Sequence, residues 1–234
     1  VAAVTVGPSI YWYLTRASGA VALVLLTVTV VIGIAAIGRL RAPGLPRFVI
    51  DGLHRTASLL AMAFLVVHIV TSVLDSFVSI SLLDAVIPFR GSYRPLWLGL
   101  GAVAFDLLLA ITITSLLRVR IGHGVWRTIH WLAYLSWPVA VLHGFGTGSD
   151  VRQTWMLAID VVCIVAVLAA IVARAMIGWP DNARVRIGAL GTATVFALGL
   201  VLWLPGGPLA KNWARRAGTP ASALSSGSAR GGHV

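Results

Sequence analysis

Charge is scarce in this chain. Only 11% of its 234 residues are charged, 59% are hydrophobic, and the mean hydropathy is +0.94. A soluble domain of this size does not carry that much apolar surface, so its apolar runs must face lipid. Acid is scarcer than base, with 7 Asp+Glu against 18 Lys+Arg and a net charge of +11. In a soluble protein that imbalance would suggest nucleic acid. Here the basic residues lie between apolar runs, the pattern of cytoplasmic loops, and no nucleic-acid partner is expected. The single cysteine, Cys163, sits inside an apolar run. It excludes an intrachain disulfide and reads as a packing or lipid-facing residue. The first ten residues, ending Gly7-Pro8-Ser9-Ile10, lack a positively charged n-region. No cleaved signal peptide is expected, and the first apolar run stays in the membrane.

A hydrocarbon core of roughly 30 Å needs about 20 apolar residues in a helix. Six stretches reach that length: about Trp12 to Ile37, Gly52 to Phe77, Leu96 to Leu117, Val125 to Phe145, Thr154 to Ile177 and Ile187 to Leu204. Prolines punctuate the gaps at Pro43, Pro46, Pro88, Pro95, Pro180, Pro205 and Pro208. Trp12, Trp97, Trp126, Trp155, Trp179 and Trp203 lie near the span edges, as an interfacial belt would. The expected fold is an all-α membrane protein, a six-helix bundle over residues 1–205. Residues 206–234 form a polar tail, Gly/Ser/Ala-rich from Ala217 onward, which reads as disordered and carries His233 as a solvated residue.

Loop arginines set the orientation. Arg39, Arg41, Arg47 and Arg55 flank the first loop, Arg118, Arg120 and Arg127 the third, and Arg174, Arg184 and Arg186 the fifth. Loops two and four hold Arg90, Arg94 and Arg152, and Arg16 lies just inside the first span. The odd loops are therefore expected in the cytoplasm and both termini outside, in a multi-pass protein of the plasma or inner membrane surrounded by lipid. Short loops outweigh the basic tail residues Lys211, Arg215, Arg216 and Arg230 in this reading.

Against that apolar background four histidines stand out. His54 and His68 lie fourteen positions apart in the second span, and His130 and His143 thirteen apart in the fourth. An ionisable residue in a span marks function by default. Both spans run in the same direction, so chain order becomes depth order. His54 is level with His130 and His68 with His143, separated along the helices by roughly 21 Å and 19.5 Å. Fourteen residues leave the first pair about 40° apart on one face, whereas thirteen leave the second about 140° apart on an ideal helix. Pro138 lies between His130 and His143 and is expected to re-phase that helix.

Two imidazoles at one depth, twice, fit bis-histidine haem best. Such an iron has no open position and carries electrons rather than oxygen. Neutral imidazole is the ligating form. Arg55 and Arg127 adjoin the inner histidines, and Arg16, Arg90, Arg94 and Arg152 lie on the outer side, as candidates for the propionates or as snorkelling anchors. Zinc would want histidines about one turn apart and nearby cysteine or carboxylate ligands, which are missing. A proton relay or transporter, or histidines satisfied by packing, remain the alternatives. Asp106 and Asp160, in the third and fifth spans, could relay protons, touch a quinone or pair with an arginine. His123, within Gly122-His123-Gly124, reads as a surface residue near any cytoplasmic donor.

These residues resemble a known family. Leu53-His54-Arg55 continuing to Val67-His68, and Trp126-Arg127-Thr128-Ile129-His130-Trp131-Leu132-Ala133-Tyr134 continuing to Leu142-His143-Gly144, look like the two haem helices of ferric reductase-like transmembrane domains. That family includes ferric reductases, NADPH oxidases and the membrane haem subunit serving periplasmic methionine-sulfoxide reductase. The resemblance implies two stacked b-type haems between helices two and four, with His54 and His130 as inner ligands and His68 and His143 as outer ligands. It implies an oxidoreductase subunit that moves electrons to an extracytoplasmic acceptor. Large members append a flavin- and nicotinamide-binding domain, but after Ile177 there is one more apolar span and a short tail, without a glycine-rich nucleotide fingerprint. The chain therefore resembles the short bacterial members, with a separate flavoprotein reductase or membrane quinol as donor. Some short relatives also bind flavin, so FMN and quinone stand as further cofactors, although no motif places either. A quinol-linked diheme cytochrome b subunit is the alternative reading, and a haem-free transporter or scaffold is the alternative from another class.

Overall fold

The computed structural model describes residues 9–37, 46–177 and 179–224. Arg39, Arg41 and His233 lie outside those residues. The described residues form helices and no strands: α1 (Ile10–Ile37), α2 (Arg47–Leu74), α3 (Leu82–Val86), α4 (Pro95–Leu116), α5 (Arg118–Ile121), α6 (His123–His130), α7 (Ala133–Thr147), α8 (Thr154–Met176), α9 (Ala183–Gly206) and α10 (Trp213–Arg216). Helix is what lipid demands, because it pairs every backbone N–H and C=O within one segment. Five helices (α1, α2, α4, α8 and α9) are long and apolar enough to cross a membrane. The chain is thus a multi-pass, all-α membrane protein.

Local chemistry sets the helix ends. Pro95 opens α4 at a position where its missing N–H costs nothing. Ser81 and Asp84 form a capping box on the short helix α3. Gly122, at φ 82°, separates α5 from α6 in a conformation that side chains disfavour. At the far end of α8, the Arg186 guanidinium donates to the Ala175 and Ile177 carbonyls, which lack partners within the helix.

α2 packs along α1 and α7 along α4, while α8 lies against both α1 and α9. The core joins Leu26, Val30 and Ile34 of α1 to Trp137, Val141 and Phe145 of α7, with Val167 of α8 and Leu200 of α9. Within it the Trp137 indole N–H donates to Thr27 Oγ1 at 2.9 Å, satisfying the one polar atom of that ring. Cys163 is buried against the same region. Apolar side chains such as Val195 and Leu202 point outward, as a lipid-facing surface requires.

Two expectations change. The fourth apolar run is not one helix: it is divided into α6 and α7 at Trp131 and Leu132. The parting lies more than a turn before Pro138. There Leu132, Tyr134 and Leu135 donate to carbonyls three residues back rather than four. Pro138 contributes by offering no N–H to the Tyr134 carbonyl and by crowding it with its ring. Each residue wound at about 120° instead of 100° gains about 20°, so the five residues enclosed by these three turns, His130 to Tyr134, recover roughly 100° of the missing 140°.

The second change concerns the tail. Residues 207–224 are packed rather than loose, with Trp213, Ala217, Thr219 and Ala223 buried. The segment is rich in small residues, but Trp213 packs on Trp97 of α4 and donates to the Gly146 carbonyl of α7, and Thr219 accepts from Arg94 just ahead of α4. The expected disorder of 225–234 falls outside the described residues.

Candidate cofactor site

The four histidines meet as two pairs. The rings of His54 and His130 lie 6.2 Å apart between centroids at 64°, and those of His68 and His143 lie 6.4 Å apart at 86°. The near-integral number of turns between His54 and His68 puts both on one face of α2. The overwound junction turns His143 to the side of His130. α2 and α7 make no extensive contact otherwise.

Backbone carbonyls on neighbouring helices orient the rings. His68 Nδ1 donates to the Thr15 carbonyl at 2.8 Å, His54 Nδ1 to Thr29 at 3.1 Å, and His143 Nδ1 to Trp97 at 2.8 Å. A carbonyl only accepts, so the proton sits on Nδ1 and the Nε2 lone pair is left free. These contacts need close helix approach. A Cβ on Gly19 would sit 2.9 Å from the His68 ring, and one on Gly101 would sit 2.5 Å from that of His143. His130 differs: its Nδ1 is buried without a hydrogen-bond partner among the described residues. Its ring stacks instead on Trp126 at 5.0 Å, and Trp126 in turn contacts His123 at 5.2 Å.

A cavity of about 390 Å³ opens around His68 and His143 and reaches Trp12, Arg16, Tyr93, Arg94 and Trp155. Arg16 ion-pairs with Asp150 and lies 3.6 Å from the centre of the Trp12 ring. Arg94 is buried, its Nε donating to Thr219 Oγ1 at 2.9 Å and its Nη1 to the Gly146 and Thr147 carbonyls at 3.0 and 3.2 Å. Burial lowers the proton affinity of Arg94 and raises the pKa of the Tyr93 phenol beside it. Arg55 and Arg127, next to His54 and His130, are exposed. Asp160 is buried in α8 and Asp106 half-buried in α4, and neither joins a histidine pair. No cluster of three or more His, Cys, Asp or Glu side chains suited to a metal occurs among the described residues.

The ring separations test the fit of a metal held between two imidazoles. A metal–nitrogen bond of about 2 Å plus about 1.1 Å from nitrogen to ring centre, on each side, spans about 6.2 Å. Both pairs match that span. In three of the four rings Nε2 is free. The family model of the ferric reductase-like transmembrane component matches residues 18–141. The chain belongs to the ferric reductase-like transmembrane family. The match takes in His54, His68 and His130 and stops two residues short of His143. Membership of the ferric reductase-like family brings transmembrane electron transfer as the general function. It does not single out the methionine-sulfoxide reductase subunit among family members. No curated protein and no solved structure matches the chain significantly.

Several site residues escaped the sequence reading. The acceptors on Thr15, Thr29 and Trp97 are main-chain atoms and leave no side-chain signature. One signal was available: Gly19 and Gly33 are fourteen apart, like the two α2 histidines they approach. Trp97 and Trp203, expected in the interfacial belt, stack on each other at 5.0 Å, and Trp213 packs against both.

Proposed function

We propose that this ferric reductase-like protein carries electrons across the membrane through two haem b groups, one held by His54 and His130 and the other by His68 and His143. The observation that carries this reading is the pair of ring separations, 6.2 and 6.4 Å, each suited to one metal between two imidazoles. A haem ligated on both faces supplies one-electron iron chemistry without an open position for oxygen. The chain's own residues position and insulate. The Thr15, Thr29 and Trp97 carbonyls hold three imidazoles in the ligating tautomer, and the apolar walls of α1, α2, α4 and α7 keep water out. Arg16, at the rim of the cavity, is the candidate partner for a propionate on the His68–His143 side, and Arg55 and Arg127 are candidates on the other side.

The proposed orientation follows the exposed arginines. Arg55, Arg118, Arg120 and Arg127 all lie toward the His54–His130 end, which is therefore cytoplasmic. α6 and α7 together make the sixth crossing. Electrons enter on that side from a flavoprotein reductase or membrane quinol and leave on the other to an extracytoplasmic acceptor. The test is the haem content of the protein purified from its native membrane, with reduced spectra. Two haems per chain are expected, falling to one in His68→Ala and in His143→Ala. Two haems retained in both variants would refute the ligand assignment, and a haem-free wild type would refute the function.

A further inference from the structure

The polypeptide after α9 closes over the end of the bundle that holds His68 and His143, and its contacts form a ring that passes through His143. Arg94, ahead of α4, donates to the Gly146 and Thr147 carbonyls at the end of α7. The Thr147 hydroxyl donates to the His143 carbonyl at 2.8 Å, and the His143 Nδ1 proton goes to the carbonyl of Trp97, three residues beyond Arg94. The Trp97 ring packs against Trp213, whose indole N–H returns to the Gly146 carbonyl at 3.2 Å. Thr219 closes the ring by accepting from Arg94 Nε at 2.9 Å, and the Arg94 N–H donates to the Gly218 carbonyl at 3.1 Å. Arg94, Trp213 and Thr219 are all buried.

We infer that residues 207–224 are a positioning element for the His68–His143 centre, acting on the His143 imidazole through Arg94 and Trp213. Arg94 lines the cavity, yet its Nε and Nη1 are committed to Thr219 and to the end of α7, which makes it a positioning residue and not chiefly a partner for an anion. A buried guanidinium with several protein acceptors holds its geometry far better than an exposed one, because leaving any of those groups unpaired is costly. The imidazole in this ring is oriented at both ends. Its backbone is held through Thr147 and its Nδ1 through Trp97. The strength of an Nδ1–H bond to a carbonyl governs how basic the opposite nitrogen is, and so the potential of a bound metal. Among the described residues no comparable element reaches His54 and His130. That pair relies on Thr29 and on the Trp126 stack.

The inference rests on the haem reading above, and the experiment separates the two. The full-length protein is purified with its cofactors, and the midpoint potentials and reduced spectra of both centres are recorded. The variants are Arg94→Lys, which keeps the charge but loses the fork, Trp213→Phe, which keeps the ring but loses the N–H, and Thr219→Val. Arg215→Ala, an exposed change in the same turn as Trp213, is the control. The expected result is a shift confined to the His68–His143 centre in Arg94→Lys and Trp213→Phe. Its size is about tenfold in the oxidised-to-reduced ratio at fixed potential, which is 59 mV for one electron. The His54–His130 centre and the control stay at wild-type values. Loss of the second haem alone also upholds the inference. Two haems with unshifted potentials, or equal disturbance of both centres, would overturn it while leaving the haem reading standing. A wild type without haem would overturn both.

Discussion

Three glycines offer a graded test of the histidine geometry. A Cβ on Gly101 would lie 2.5 Å from the His143 ring, one on Gly19 2.9 Å from the His68 ring, and one on Gly33 3.4 Å from the His54 ring. Ordinary carbon contacts begin near 3.4 Å, so His143 must retreat by about 0.9 Å in Gly101→Ala, His68 by about 0.5 Å in Gly19→Ala, and His54 hardly at all in Gly33→Ala. Metal–ligand distances tolerate only about 0.2 Å. The retreat also strains the 2.8 Å bond from His143 Nδ1 to the Trp97 carbonyl. Alanine suits a helix interior better than glycine by about 0.5–1 kcal/mol, so the helices themselves gain. Any loss is then local to the imidazole. Haem content and reduced spectra of the purified variants are the assay. Gly101→Ala should lose the second haem and retain about one per chain. Gly19→Ala should keep both with a displaced spectrum for that centre, and Gly33→Ala should match wild type. An unaltered second centre in Gly101→Ala would refute the proposed ligand geometry. So would a greater effect from Gly33→Ala than from Gly101→Ala.

Two further outcomes follow from contacts around the site. Trp137→Phe removes the buried bond to Thr27 Oγ1 and should lower the stability of the detergent-solubilised protein by about 1 kcal/mol, read as a reduced midpoint in chemical unfolding, without changing haem content. Trp126→Ala removes the ring stacked on His130, whose Nδ1 has no hydrogen-bond partner among the described residues. It should alter the potential of the His54–His130 centre alone, and an equal change at the other centre would show that the stack has no positioning role.

The histidine pairs and most of the membrane fold were legible in the sequence, for a physical reason. Lipid forces long apolar helices, and an imidazole among them stands out against the cost of placing it there. The division between α6 and α7 was not legible, because Trp131, Leu132 and Ala133 continue the apolar run without punctuation. The sequence pointed to Pro138, but a proline disturbs the carbonyl a turn ahead of it, and the overwinding spreads back to Ile129. The segment after α9 misled by composition. Its glycines and alanines argue for looseness, while a single tryptophan, Trp213, anchors it by filling a space beside Trp97 and Trp203.

Each imidazole with a backbone acceptor is borne by one helix and tied to another: His54 and His68 of α2 to α1, His143 of α7 to α4. The bundle thereby contains two tied halves, α1 with α2 and α4 with α7, that meet across the core joining α1 to α7 and across the two ring pairs. Within each half a backbone carbonyl of one helix orients an imidazole of the other. Whatever occupies the seam then acts as a fastener as well as cargo. On the proposed reading a bound cofactor would add its binding energy to that of the α1–α7 core, and its supply would raise the amount of assembled protein a membrane holds.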